Sequence, residues 1–177
     1  KYADQLLKED KAYKCYCSEE ELDQMREEAL ANDKMPKYNG HCRNLSKEEE
    51  QKYIDEGREP VIRFKLPEEN KDIIVKDDIR GDVTFNSSVL DDFIIFKSDG
   101  MPTYNFAVVI DDALMKISHV IRGEDHLSNT PKQILIYEAL GFDLPKFAHL
   151  PLILDENKAK LKKRGKDSVY IGEFREQ

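Results

Sequence analysis

The sequence predicts an α/β protein with a small mixed α+β domain in its middle. Three observations carry this. Two capping boxes mark early helices, an alternating stretch at Val61–Leu66 marks the first of several short strands, and from Tyr104 onward strand-like and helical signals follow one another.

In chain order, residues 1–13 carry Tyr2, Leu6 and Leu7 among charges and read as the tail of an amphipathic helix that begins before the first residue. Ser18-Glu19-Glu20-Glu21 follows, a capping box in which hydroxyl and carboxylate satisfy each other's backbone N–H groups. Leu22, Met25 and Ala29 recur behind it at helical spacing, and Met35-Pro36 ends the segment. Ser46 to Glu49 is a second capping box, opening a short acidic helix that stops near Gly57 and Pro60. Val61-Ile62-Arg63-Phe64-Lys65-Leu66 alternates apolar with basic side chains, as a half-buried strand does. Ile73–Val75, Val83–Phe85 and Phe93–Phe96 are further strands, separated by turn formers such as Arg80-Gly81-Asp82 and Ser98-Asp99-Gly100. An apolar run at Phe106–Ile110, a helical turn at Asp111–Met115 and a strand at Ile117–Ile121 come next. Thr130-Pro131-Lys132-Gln133 then combines an N-cap, proline at the first helical position and a capping box, with Gly141 closing the helix. There is no internal repeat and no low-complexity stretch.

The 177 residues hold 28 Lys plus Arg against 36 Asp plus Glu, a net charge of −8, with 36% charged and 40% hydrophobic residues. That balance excludes a disordered tail, and no apolar run approaches the roughly 18 residues of a membrane span. The first residues have no signal-peptide pattern, so a cytoplasmic protein is expected. Net charge does not decide nucleic-acid binding, which depends on where the cations cluster. Cys15, Cys17 and Cys42 are an odd number, better suited to thiols or metal ligands than to a disulfide framework. Three thiolates suit tetrahedral Zn²⁺ and need one more donor, which Tyr38 or His41 could supply. The bland alternative is three free thiols, some buried as small hydrophobes.

The stretch from Asp99 to Pro131, including Pro102-Thr103-Tyr104-Asn105-Phe106-Ala107-Val108-Val109-Ile110-Asp111-Asp112 and Val120-Ile121-Arg122-Gly123-Glu124-Asp125-His126, resembles the second half of the catalytic domain of glutamyl-tRNA synthetases. The resemblance extends upstream through Ala12–Cys17 and downstream through Phe147–Pro151 to Val169–Glu176, so it covers essentially the whole chain. It implies the second half of a class I synthetase nucleotide-binding, Rossmann-like domain with an inserted mixed α+β acceptor-stem-binding domain. The boundaries it implies are 1–14 for the end of the first half, 15–103 for the inserted domain with its zinc ligands, 104–154 for the second half, and 155–177 for the signature loop and start of the stem-contact region. The activity implied is ATP- and Mg²⁺-dependent conversion of L-glutamate to glutamyl-adenylate and its transfer to tRNA(Glu), by a monomer with no membrane partner.

Arg122 leaves the carboxyl end of a predicted strand, where open α/β sheets hold ligands, and a guanidinium there can clamp a carboxylate. The resemblance assigns Tyr104 and Arg122 to glutamate. The bland readings are a strand tyrosine packed on the core and a surface ion pair of Arg122 with Glu124 or Asp125. Lys158-Ala159-Lys160-Leu161-Lys162-Lys163-Arg164-Gly165-Lys166 holds six cations in nine residues and resembles the class I signature loop, often Lys-Leu-Ser-Lys-Arg. Lys160 and Lys163 match its lysines, Lys163 the one assigned to ATP, and such cations stabilise charge developing at the α-phosphate. Lys162 stands where serine is usual.

The Tyr-x-x-x-Cys spacing of Tyr38 and Cys42 matches one zinc pattern in related synthetases, including glutamyl-queuosine enzymes; the position two beyond the third cysteine, histidine in others, is Asn44. His41, His119, His126 and His149 stand alone, and a lone histidine is more often a core or surface residue. The His-x-Gly-His motif of class I synthetases is missing and lies upstream in the family, so the chain reads as an internal piece that cannot form adenylate alone. For tRNA, Arg63 and Lys65 on one strand face and Arg80 and Lys97 at turns are the candidate phosphate contacts, or else they solubilise an exposed sheet. Competing readings are a glutamyl-queuosine tRNA(Asp) synthetase and a non-catalytic, zinc-stabilised RNA-binding module of residues 15–103.

Overall fold

The computed structural model describes residues 1–154 and Lys160; the expectations placed on Lys163, and on the loop and stem-contact region around it, lie outside the described residues. Helix α1 (Tyr2–Lys8) buries Ala3 and Leu6, and the chain turns through Asp10 (φ 54°) into strand β1 (Ala12–Cys15). Helices α2 (Glu19–Ala31) and α3 (Lys47–Asp55) start at Ser18 and Ser46, and both capping boxes form as expected. Neither helix buries a residue fully; Leu22 and Met25 line a shallow cleft of about 300 Å³ instead.

Strands β2 (Val61–Phe64) and β5 (Ile94–Phe96) complete an antiparallel sheet in the order β1-β2-β5. The face of β2 that carries Arg63 is covered, with the Tyr38 ring against the guanidinium, so the alternation at Val61–Leu66 does not lay this cation in water. Arg63 is only 5% exposed, which corrects its expected place beside Lys65 on an open sheet.

The second sheet has the order β4-β3-β7-β6. Strands β3 (Asp72–Asp77) and β4 (Gly81–Asn86) form a hairpin whose turn closes at Gly81, with φ 70°. Strand β6 (His119–Gly123), helix α5 (Thr130–Leu140) and strand β7 (Lys146–Leu150) form a crossover unit, with β6 and β7 parallel from His119↔Lys146 to Gly123↔Leu150. Strand β7 also runs parallel to β3. The sheet therefore draws strands from both sides of the boundary set between residues 103 and 104. One apolar core does the same, joining Leu6, Val75, Ile95, Val109 and Ile136, all at 0% exposure.

Two local expectations change. The apolar run and the helical turn after residue 103 are one helix, α4 (Tyr104–Leu114), because Phe106 and Val109 recur at helical spacing on its buried face. Tyr104 is thus a half-exposed residue of a first helical turn, not a strand tyrosine on the core. Thr130 is also not an N-cap: a 3-10 turn (Glu124–Asn129) runs straight into α5, and Asn129 already has helical dihedrals. The side chains of Thr130 and Gln133 are thereby released for other partners. Gly141 closes α5 with φ 69°, as expected.

Candidate active site and thiol cluster

The parallel pairing of β6 with β7 places Arg122 at the carboxyl end of β6, beside His149 of β7. Its Nε–H donates to His149 Nε2 at 3.1 Å, and its Nη2 donates to Thr130 Oγ1 at 2.9 Å and to Gln133 Oε1 at 2.8 Å. A guanidinium has five N–H donors, and among the described residues the two on Nη1 have no partner, which leaves them open to a ligand. The Gln133 amide is oriented in turn, its Nε2 donating to Asn105 Oδ1 at 3.0 Å, one residue beyond Tyr104. The helix start that presents Tyr104 is therefore linked to Arg122 through two side chains. Tyr104 lies against the His126 ring, centroids 5.8 Å apart, with its hydroxyl 3.5 Å from Nδ1.

The bland partners of Arg122 are taken by other cations. Glu124 pairs with Arg80, and Asp125 pairs with Lys160. A Cβ at Gly123 would lie 2.5 Å from Asp125 Oδ1, so any side chain there would push the Asp125 carboxylate aside. Lys160 is thereby held near the same strand end as Arg122. Of the cations expected to meet phosphate, Lys65 is only 17% exposed along its side chain and pairs with Asp10 at 2.8 Å. Arg63 is buried, and Arg80 is paired with Glu124.

Behind Arg122 lies a group that sequence reading passed over. His149 and Asp77 both have side chains at 0% exposure, with Nδ1 and Oδ2 2.5 Å apart. Burial raises the Asp77 carboxyl, but the bond to His149 and the backbone N–H groups of Arg80, His149 and Ile79 outweigh it and hold the group at about 2. A signal for this pair existed: Ile73, Val75 and Asp77 share the inward phase of β3, so an acid occupies a core position.

The cysteines meet elsewhere, at the start of the middle region. The Sγ atoms of Cys15, Cys17 and Cys42 all lie within 4.8 Å of one another. The Tyr38 hydroxyl stands 3.3 Å from Cys15 Sγ and 3.8 Å from Cys17 Sγ, and it accepts the Cys42 N–H at 2.8 Å. His41 is turned toward the Tyr53 hydroxyl, 3.2 Å from its Nε2, which favours Tyr38 as the fourth donor. Hydrogen bonds from Cys17, Cys42 and Tyr38 lower the Cys15 thiol despite its burial. The Cys17 and Cys42 thiols are raised, first through their bonds to Cys15, because a second charge would sit beside the first. A divalent cation would relieve that conflict.

Arg63 closes the cluster. Its guanidinium lies 3.8 Å above the Tyr38 ring and donates to the Asp92 carbonyl at 2.8 Å, while its buried Nε has no partner among the described residues. An arginine beside Tyr38 and Cys15 supplies positive charge to an anionic donor set. Asp92 fixes the surroundings by accepting from Tyr13 Oη, Arg43 Nη1 and the Leu66 N–H.

The family profile described as tRNA synthetases class I (E and Q), catalytic domain, matches residues 1–177. The chain is 58% identical to glutamate-tRNA ligase 2 of Caldanaerobacter subterraneus subsp. tengcongensis, covering 99% of this chain and 36% of that protein. It is 57% identical to glutamate-tRNA ligase 1 of Caldicellulosiruptor saccharolyticus, covering 100% and 36%. The crystal structure of a glutamate tRNA ligase from Elizabethkingia meningosepticum in complex with its amino acid matches with a TM-score of 0.82 and 47% identity, over 92% of this chain and 34% of that one. The chain spans about a third of the length of the curated relatives it matches. Fold and sequence together place it in the catalytic domain of the class I glutamyl and glutaminyl tRNA synthetases, the family to which this chain belongs.

Proposed function

We propose that this chain forms the glutamate-binding part of a glutamate-tRNA ligase, with L-glutamate, ATP as its Mg²⁺ complex, and tRNA(Glu) as substrates. The observation that carries the reading is the Arg122 guanidinium, fixed through three N–H donors at the carboxyl end of a parallel strand, with both Nη1 hydrogens unpartnered among the described residues and open to a carboxylate. Tyr104, presented by the first turn of α4, adds a hydroxyl from the neighbouring element. A glutamate oxygen attacks the α-phosphorus of ATP and pyrophosphate departs. The tRNA 3′-terminal hydroxyl then attacks the glutamyl carbonyl and AMP leaves. Lys160 and Lys163 supply positive charge where negative charge builds during the first step. A tRNA phosphate that engaged Lys65 or Arg80 would displace the carboxylate each now holds.

The thiol cluster fits a structural zinc held by Cys15, Cys17, Cys42 and Tyr38. Zinc there would tie the end of β1 to the loop at 38–42, with every coordination position filled by protein and no role in the reaction. Arg63, above the Tyr38 ring, would offset the net negative charge of zinc bound by three thiolates.

The test is pyrophosphate exchange by the full-length polypeptide with Arg122→Ala. Losing two charge-assisted bonds to a carboxylate is worth about 3 kcal/mol, so the KM for glutamate should rise about 100-fold with little change in the KM for ATP. A glutamate KM within threefold of the parent refutes the assignment.

A further inference from the structure

We propose that Asp77 and His149 form a positioning pair that sets the rotation of the Arg122 guanidinium, and so aims its Nη1 hydrogens at the substrate carboxylate. The inference rests on the reading of Arg122 given above and goes beyond it to residues that touch no substrate.

The polarity of the pair follows from its hydrogen bonds. Asp77 Oδ1 accepts the N–H groups of Ile79 at 3.0 Å and Arg80 at 2.9 Å, and Oδ1 and Oδ2 accept the His149 N–H at 3.2 and 3.1 Å. A carboxylate that collects donors in this way is ionised and only accepts. The His149 Nδ1, 2.5 Å from Oδ2, must therefore carry a proton. In the neutral ring this leaves Nε2 as a lone-pair acceptor, and Arg122 donates its Nε–H to it at 3.1 Å. The opposite tautomer would set two N–H groups against each other. Thr130 Oγ1, 3.2 Å from Nε2 and 2.9 Å from Arg122 Nη2, closes the triangle.

Burial makes the arrangement stiff. Asp77, His149 and Thr130 are buried, and the three come from β3, β7 and α5 respectively. The hairpin turn after Asp77 is thereby tied to the strand end where Arg122 stands. A guanidinium held at Nε and Nη2 cannot swing about its stem, so Nη1 keeps one direction before substrate arrives.

The experiment uses the full-length polypeptide and compares Asp77→Asn, His149→Gln and His149→Leu in pyrophosphate exchange. In Asp77→Asn the amide NH₂ can face Nδ1, which selects the wrong tautomer and turns an N–H toward Arg122. The glutamate KM should rise 10- to 100-fold while the ATP KM stays within threefold. His149→Gln keeps an acceptor near the position of Nε2 and should recover at least part of the loss seen in His149→Leu, and it keeps the comparison open if the leucine variant fails to fold. The double variant Asp77→Asn with Arg122→Ala separates positioning from general damage. If the pair acts through Arg122, Asp77→Asn adds less than threefold once Arg122 is gone. An equal further loss in that background, or parallel changes in the glutamate and ATP KM values, overturns the positioning role while leaving Arg122 assigned. A glutamate KM unmoved by Arg122→Ala alone overturns both.

Discussion

Replacing Tyr38 with phenylalanine keeps the ring beneath Arg63 and removes a single oxygen. That oxygen accepts the Cys42 N–H at 2.8 Å and stands 3.3 Å from Cys15 Sγ. In metal-free protein the main loss is the half-buried Cys42 N–H left without its acceptor, which costs about 1–3 kcal/mol. For a domain of this size, about 2 kcal/mol lowers Tm by roughly 4–8 °C. In zinc-loaded protein the loss is larger, because a protein ligand disappears as well. Partners that merely orient a ligand change metal affinity about 10- to 100-fold, so removing a ligand should cost about 100-fold or more. Competition with a chromogenic chelator gives the affinity, and melting with and without chelator gives the stability. The cobalt-substituted protein should keep its thiolate charge-transfer bands and change its ligand-field bands. His41→Ala, whose ring faces Tyr53, should leave zinc affinity unchanged. Unaltered zinc affinity in Tyr38→Phe, or loss of zinc in His41→Ala, refutes the assignment of the fourth ligand.

Arg63→Met removes a charge-assisted bond worth about 1.5–3 kcal/mol and a stacked cation worth about 0.5–2 kcal/mol, offset in part by removing an unpartnered buried Nε. The expected loss is about 2 kcal/mol by denaturant titration, greater with zinc bound; a variant more stable than the parent contradicts the charge-balancing role. Gly123→Ala forces the Asp125 carboxylate aside and separates it from Lys160. Stability should fall by less than about 1 kcal/mol, as for exposed ion pairs, while the rate of adenylate formation by the full-length polypeptide falls about tenfold; an unchanged rate detaches the turn from the loop. The Asp77 carboxyl sits at about 2 in the folded chain, below the ordinary 3.8. Its contribution to stability is therefore complete above about pH 4 and is lost as pH falls toward 2, so Asp77→Asn should remove that part of the acid-unfolding limb. Identical acid limbs for parent and variant would contradict the buried carboxylate.

What the sequence made legible were features written in consecutive residues. Both capping boxes, the glycine stop of α5 and the short strands of the middle region depend on neighbours within a turn, and all of them form. The three cysteines were legible as a cluster with Tyr38 or His41 as a fourth donor, and it is Tyr38 whose hydroxyl stands beside their Sγ atoms. Harder to read was whatever depends on which face of a sheet distant parts of the chain cover. Arg63 alternates with apolar residues like a surface cation, yet Tyr38, 25 residues earlier, packs over it and the Asp92 carbonyl accepts from it. The Thr130 capping box failed because a 3-10 turn already occupied the helix entrance, leaving its side chains to Arg122. The Asp77–His149 pair spans 72 residues, a separation at which a lone histidine carries no local signature.

The most direct test is glutamate transfer by the full-length polypeptide onto tRNA(Glu) and, separately, tRNA(Asp), with the Arg122→Ala form beside it. Charging of tRNA(Glu), together with a glutamate KM about 100-fold higher in the variant, is the expected result. Labelling of tRNA(Asp) alone, or charging of tRNA(Glu) that Arg122→Ala leaves untouched, would contradict the assignment of this site.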